Sequence, residues 1–169
     1  MNINKLQKLV MQQAKDKGFG VSPDDIIVAE KIALLHSEIS EVYEAFLKND
    51  FDGSQGVYFE LGDILQRILH LGGIFEIDFF NLPFVDLEYL VDFSFEGKIL
   101  RLHILTSEAF EYYRCNQLDK FKESLIYLLL TTIEISKEHD FSLEEVVLKK
   151  IKNNKDREWD KDKMNEKLV

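Results

Sequence analysis

The stretch EKIALLHSEISEVYEAF, residues 30–46, decides the fold, because its apolar residues recur with the period of an α-helix. The middle of its apolar stripe consists of Leu35, Ile39, Val42 and Phe46. Residues 57–75 show the same periodicity, with a stripe that runs from Leu61 to Phe75. The two segments therefore predict amphipathic helices that face a common core.

Each of these segments carries two carboxylates three residues apart, in Glu38-Ile39-Ser40-Glu41 and Glu60-Leu61-Gly62-Asp63. Side chains at that spacing share a helix face, and both pairs lie at the margin of the core-facing stripe. Unpaired carboxylates there are costly, so either metal cations or basic side chains must balance them. Hard divalent ions take such oxygen ligands, and Mg²⁺ usually adds substrate phosphates. The spacing favours a metal site over salt-bridged helix edges.

Length and composition indicate one all-α domain. The chain has 169 residues, 46% hydrophobic and 31% charged, with only 8 glycines and 2 prolines. A net charge of -10 argues against binding to a nucleic-acid backbone, which needs a basic surface. The single Cys115 excludes an intrachain disulfide framework and favours the cytoplasm. Neither a signal peptide nor a membrane span is expected.

Periodicity predicts six helices, with a capping signal at Ser22-Pro23 before the second. Their approximate ranges are 3–17, 24–48, 57–75, 97–115, 118–139 and 142–154. The phenylalanine-rich segment 77–96 lacks a clean period and is interpreted as a buried linker with a short helix. A single domain over 1–157 and a charged tail over 158–169 are expected.

The second half of the chain resembles the first. Lys31, His36 and Glu41 recur 67 positions later, and Phe59 and Ile64 recur 62 positions later. This pattern predicts a four-helix core built from two tandem helix pairs, within 24–79 and 97–154. Chance similarity between amphipathic helices is the alternative.

The two halves differ at the carboxylates. Glu38 corresponds to Leu105, Glu60 to Lys122 and Asp63 to Leu125, whereas Glu41 corresponds to Glu108. One acidic site per chain is therefore expected.

Other candidate sites are weaker. No histidine follows a glutamate by three positions, as a di-iron bundle would require, so His36 and His103 are interpreted as packing or capping residues. Neither a P-loop nor a dinucleotide-binding glycine motif occurs. The basic run 149–157 is typical both of a helix C-terminus and of a phosphate clamp in which Arg157 makes bidentate contacts.

Three stretches together resemble the MazG-type nucleotide pyrophosphohydrolases, which belong to the all-α NTP pyrophosphatase superfamily with the dimeric dUTPases. They are AKDKGF at 14–19, EKIALLHSEISEVYEAF at 30–46 and ELGDIL at 60–65. The run KIKNNKDR at 150–157 is similar to the closing K-x-x-x-N-x-x-R segment of that family. The resemblance covers roughly residues 10–79 and 140–157, with about sixty residues between them, so the chain resembles two fused subunits that share one composite site.

The resemblance implies Mg²⁺-dependent hydrolysis of a nucleoside triphosphate between the α and β phosphates, with Mn²⁺ as a substitute metal. It assigns the metal ligands to Glu38, Glu41, Glu60 and Asp63. Contacts to substrate phosphates are assigned to Lys150, Asn154 and Arg157, and Lys155 in the same basic run is a further candidate for holding phosphate. Glu41 is the candidate proton acceptor, and both a monomer and a homodimer are compatible with the fused halves.

Two alternatives stay open. The chain could be a non-catalytic module that binds nucleotide or metal, or a helical dimerisation protein whose acidic residues are surface groups.

Overall fold

A computed structural model of the chain describes residues 1–79 and 93–155. In these ranges it contains six α-helices and no strand, which confirms the all-α class. The helices are α1 (Ile3–Lys17), α2 (Val28–Leu47), α3 (Val57–Ile74), α4 (Phe95–Arg114), α5 (Leu118–Glu138) and α6 (Leu143–Lys155). Residues 80–92 of the predicted linker, Arg157 and the predicted tail at 158–169 lie outside the described residues.

The ends of the first helix follow from local chemistry. The side chain of Asn2 accepts a hydrogen bond from the backbone N–H of Lys5 at 3.0 Å and caps α1. The helix ends at Gly18, which has a φ of 76°. Glycine adopts this left-handed conformation without steric cost, so α1 terminates where the sequence predicts.

The second helix begins four residues later than predicted. Pro23–Asp25 form a separate 3-10 turn, and the Asp25 carboxylate accepts the backbone N–H of Ser22 at 3.0 Å. Ile26 and Ile27 are extended, so α2 starts only at Val28. The capping signal at Ser22 thus belongs to the turn and not to the long helix.

The four central helices pack as two pairs, α2 with α3 and α4 with α5. The pairs meet through contacts of α2 with α4 and of α3 with α5, while α1 and α6 pack on α3 and on each other. Among the buried apolar side chains of the core are Leu35, Ile39, Leu61, Ile64, Leu102, Phe121, Leu125 and Leu129. Both halves therefore contribute to one hydrophobic core.

Two histidines at equivalent positions of the repeat meet where the halves join. The rings of His36 and His103 stack with centroids 5.1 Å apart, and their Nδ1 atoms lie 2.8 Å apart. One Nδ1 must donate and the other accept, and burial lowers the pKa of both rings. Contact between equivalent residues is what a two-fold relation between the halves produces.

Within the described ranges, no helix combines the length and the apolarity that a membrane crossing requires.

Candidate metal centre and adjoining cavity

Three of the four predicted carboxylates converge between α2 and α3. Glu38, Glu60 and Asp63 each offer an oxygen atom, and these atoms all lie within 4.8 Å of one another. Glu38 is 8% exposed and Glu60 6% exposed, while Asp63 is half-buried. The two acidic patterns thus form one buried cluster, as their phase on the helices predicts.

Glu41, the fourth predicted ligand, lies outside this group of three and is exposed. It remains close enough for its charge to raise the pKa of both Glu38 and Glu60. Its place at the stripe's edge, one helical turn beyond Glu38, accounts for its exposure.

The spacing of the three oxygens fits a hard divalent cation. Ligand oxygens lie about 2.1 Å from Mg²⁺ and about 2.3–2.6 Å from Ca²⁺, so oxygens on opposite sides are about 4–5 Å apart. The observed spread of up to 4.8 Å falls in that range. The separation of the three carboxylates is therefore compatible with shared coordination of one ion.

Basic side chains also contact the cluster. Arg67 forms an ion pair with Glu38, with its Nε 2.7 Å from the carboxylate oxygen. Lys150 forms an ion pair with Asp63, and its Nζ lies 4.2 Å from the centroid of the Phe59 ring. Lys150 is only 6% exposed. The residue that was predicted to contact phosphate thus forms an ion pair with a predicted metal ligand.

Sequence reasoning missed Arg67. It follows Asp63 by four positions and Glu60 by seven, so it lies on the same face of α3 as both carboxylates. The spacing of four and seven residues could therefore have identified Arg67 from the sequence as a basic partner of the carboxylates.

A glycine explains how α6 reaches the cluster. A Cβ atom added at Gly62 would lie 2.5 Å from Cγ1 of Val146 on α6. Only a residue without a side chain allows this approach, which brings Lys150 to Asp63. The glycine inside the pattern ELGD thus has a packing role that the carboxylate spacing alone does not reveal.

The basic partners do not neutralise the site. Burial raises the pKa of Glu38, against the opposing effect of Arg67. Burial, together with the charges of Asp63, Glu41 and Glu38, raises the pKa of Glu60 to about 7, although Lys150 opposes this. Two cations face three clustered carboxylates, and the excess negative charge favours a further cation.

A cavity of about 560 Å³ adjoins the cluster and shares Asp63 and Arg67 with it. Its other polar lining residues are Gln13, Lys17, Glu30, Lys31, Gln66, His70 and Asn154. Apolar lining comes from Val10, Ala14, Phe19 and Leu34. The volume is typical of sites for small molecules.

The remaining residues that were predicted to contact substrate do not all lie at the cavity. Asn154 lines the cavity. Lys155 is exposed, and its carbonyl oxygen accepts a hydrogen bond from Nζ of Lys17 at 3.0 Å. Arg157 lies outside the described residues.

Among the polar cavity residues that were not predicted from the sequence are His70 and Gln66. Nε2 of His70 lies 2.9 Å from the carbonyl oxygen of Gly20 and must donate to it. Nε2 of Gln66 is buried without a hydrogen-bond acceptor in the described part of the chain. Neither residue belongs to a recognisable motif, because only the tertiary packing brings them to the cavity.

Comparisons with protein-family models, with curated proteins and with solved structures found no match to this chain.

Proposed function

We propose that this chain is a Mg²⁺-dependent nucleoside triphosphate pyrophosphohydrolase, which releases pyrophosphate and a nucleoside monophosphate. The observation that carries the proposal is the convergence of Glu38, Glu60 and Asp63 at the edge of the cavity. A charged phosphate chain needs a metal beside it, and a nucleoside needs an enclosed, partly apolar space. The cluster and the cavity meet these two needs at one place.

In this proposal the carboxylates of Glu38, Glu60 and Asp63 would hold the metal beside the cavity. When bound, Mg²⁺ neutralises phosphate charge and lowers the pKa of a coordinated water. The water oxygen attacks the α phosphorus, the bond from that phosphorus to the bridging oxygen breaks, and pyrophosphate leaves. Glu41 is exposed beside the cluster, outside the group of three, and is our candidate acceptor of the water's proton.

The cavity's side chains would orient the nucleotide. Phe19 and Leu34 offer apolar surface for a base or sugar, and Asn154 offers an amide for hydrogen bonds. Arg67 lies at the junction, in the cavity wall and against Glu38, so it can contact the phosphate chain.

The test is incubation of the purified chain with a panel of nucleoside triphosphates and Mg²⁺, with products identified by mass. We expect pyrophosphate and a monophosphate from at least one nucleotide, and no turnover after chelation of the metal. Asp63→Asn and Glu60→Gln should lower the rate by at least about 100-fold, because each removes a charged ligand.

Glu108→Gln is the matched control, because Glu108 is the counterpart of Glu41 in the half without the cluster. It should retain the wild-type rate. Equal pyrophosphate release by the wild type and by Asp63→Asn would defeat the mechanism. Tight nucleotide binding without any product would instead identify a non-catalytic binding module.

A further inference from the structure

Two lysines at equivalent positions of the repeat have different surroundings. Lys98 is 2% exposed and forms an ion pair with Glu138. Lys31, its counterpart 67 positions earlier, is half-buried and lines the cavity. Glu76, the counterpart of Glu138, is exposed, and within the described ranges no carboxylate oxygen lies in ion-pair distance of the Lys31 ammonium. The charge of Lys31 is therefore not neutralised as that of Lys98 is.

The surroundings of Lys31 disfavour its charge. Burial is the main cause that lowers the pKa of this ammonium, and the nearby charge of Arg67 lowers it further. Glu30, also in the cavity wall, opposes both effects. The half-buried ammonium of Lys31 thus faces the charges of both Glu30 and Arg67, and within the described ranges no carboxylate contacts it as Glu138 contacts Lys98.

A second observation points to the same kind of ligand. Gln66 lines this cavity, and its Nε2 is buried without an acceptor. A buried donor without an acceptor is costly, so an acceptor from a ligand would satisfy it after a rotation of the amide. The cavity lining carries three cationic side chains, Lys17, Lys31 and Arg67, against the two carboxylates of Glu30 and Asp63.

We propose that Lys31 is a substrate-binding residue that holds the phosphate chain of the ligand in the cavity, together with Arg67 and Gln66. Lys98, at the equivalent position, is instead held in its ion pair with Glu138. The inference rests on the proposed function for the identity of the ligand. The anion site itself can be tested without turnover.

The experiment measures the binding of inorganic tripolyphosphate by calorimetry, with and without Mg²⁺. Lys31→Met should weaken binding by about tenfold or more in Mg²⁺, since a hydrogen bond between charged groups is lost. Lys31→Arg, which keeps the charge, should recover most of the affinity, which loss of packing alone would not predict. Lys98→Met is the matched control, and it should bind tripolyphosphate like the wild type.

Unchanged affinity in Lys31→Met, or an equal loss in Lys98→Met, would overturn the inference. Lys31→Gln is measured in parallel, so that a folding defect of one variant does not decide the result. If the chain hydrolyses no nucleotide but binds tripolyphosphate through Lys31, the anion site stands and the proposed reaction fails. If hydrolysis occurs while Lys31→Met keeps both its affinity and its KM, the role of Lys31 alone is wrong.

Discussion

The helix pair α2–α3 and the helix pair α4–α5 form the same scaffold with different interiors. Glu38 and Arg67 form an ion pair in the first, whereas the equivalent positions in the second are Leu105 and Leu129. Both leucines are buried. The second pair therefore folds with apolar residues where the first has charges. Because well-packed apolar residues often replace a buried ion pair without loss of stability, the scaffold does not need these charges. Their presence in one half only favours a functional role.

The largest expected effect tests whether the ion pair is dispensable as a unit. Arg67→Leu leaves Glu38 buried beside Glu60 and Asp63 without its basic partner, so we expect the free energy of unfolding to fall by about 3 kcal/mol. The double variant Glu38→Leu/Arg67→Leu reproduces the second half and should regain at least half of that loss. Urea unfolding at pH 8 with a chelator measures both.

Arg114→Leu serves as the control, because Arg114 forms an exposed ion pair with Glu111. It should change the free energy of unfolding by less than about 0.5 kcal/mol. A double variant as unstable as Arg67→Leu would show that the two interiors are not interchangeable.

The helices and their pairing could be predicted from the sequence, because they depend on the periodicity of residues such as Leu35 and Leu61. The convergence of Glu38, Glu60 and Asp63 followed from helix phase in the same way. The place of Lys150 did not, because its ion pair with Asp63 joins residues 87 positions apart and depends on how closely α6 approaches α3. Local periodicity carries no information about such an approach. The late start of α2 was missed because the capping residues at Ser22 and Asp25 also suit a short turn.

A smaller effect is expected at Gly62, where α6 packs on α3. Gly62 lies under α6, and its equivalent Ser124 is buried with its hydroxyl bonded to the carbonyl of Lys120 at 3.0 Å. Gly62→Ala should lower the free energy of unfolding by about 1–2 kcal/mol, since the overlap with Val146 outweighs the better helix propensity of alanine. Thermal unfolding measures the change.

Ser124→Ala, at the equivalent position, should change the free energy of unfolding by less than about 1 kcal/mol. Gly62→Ala should also separate Lys150 from Asp63, because α6 must move outward. A stable Gly62→Ala variant with an unchanged ion pair would contradict the role given to this glycine.

The last effect, of about the same size, concerns pH and the carboxylate of Glu60. The pKa of Glu60 rises from 4.5 to about 7 in the folded chain, so the folded state binds its proton more tightly than the unfolded state does. The resulting stabilisation is complete below pH 4.5 and is lost as the pH rises to about 7. Without metal, we expect the free energy of unfolding of the wild type to fall by about 1–2 kcal/mol relative to that of Glu60→Gln over this interval.

His36 and His103 act in the opposite sense, because their lowered pKa values add stability as the pH rises toward 6.5. The difference between wild type and variant removes their contribution, and Lys122→Gln, at the position equivalent to Glu60, should show no such difference. Parallel pH profiles for the wild type and Glu60→Gln would mean that the cluster holds no excess negative charge, and the case for a further cation would then lose its electrostatic basis.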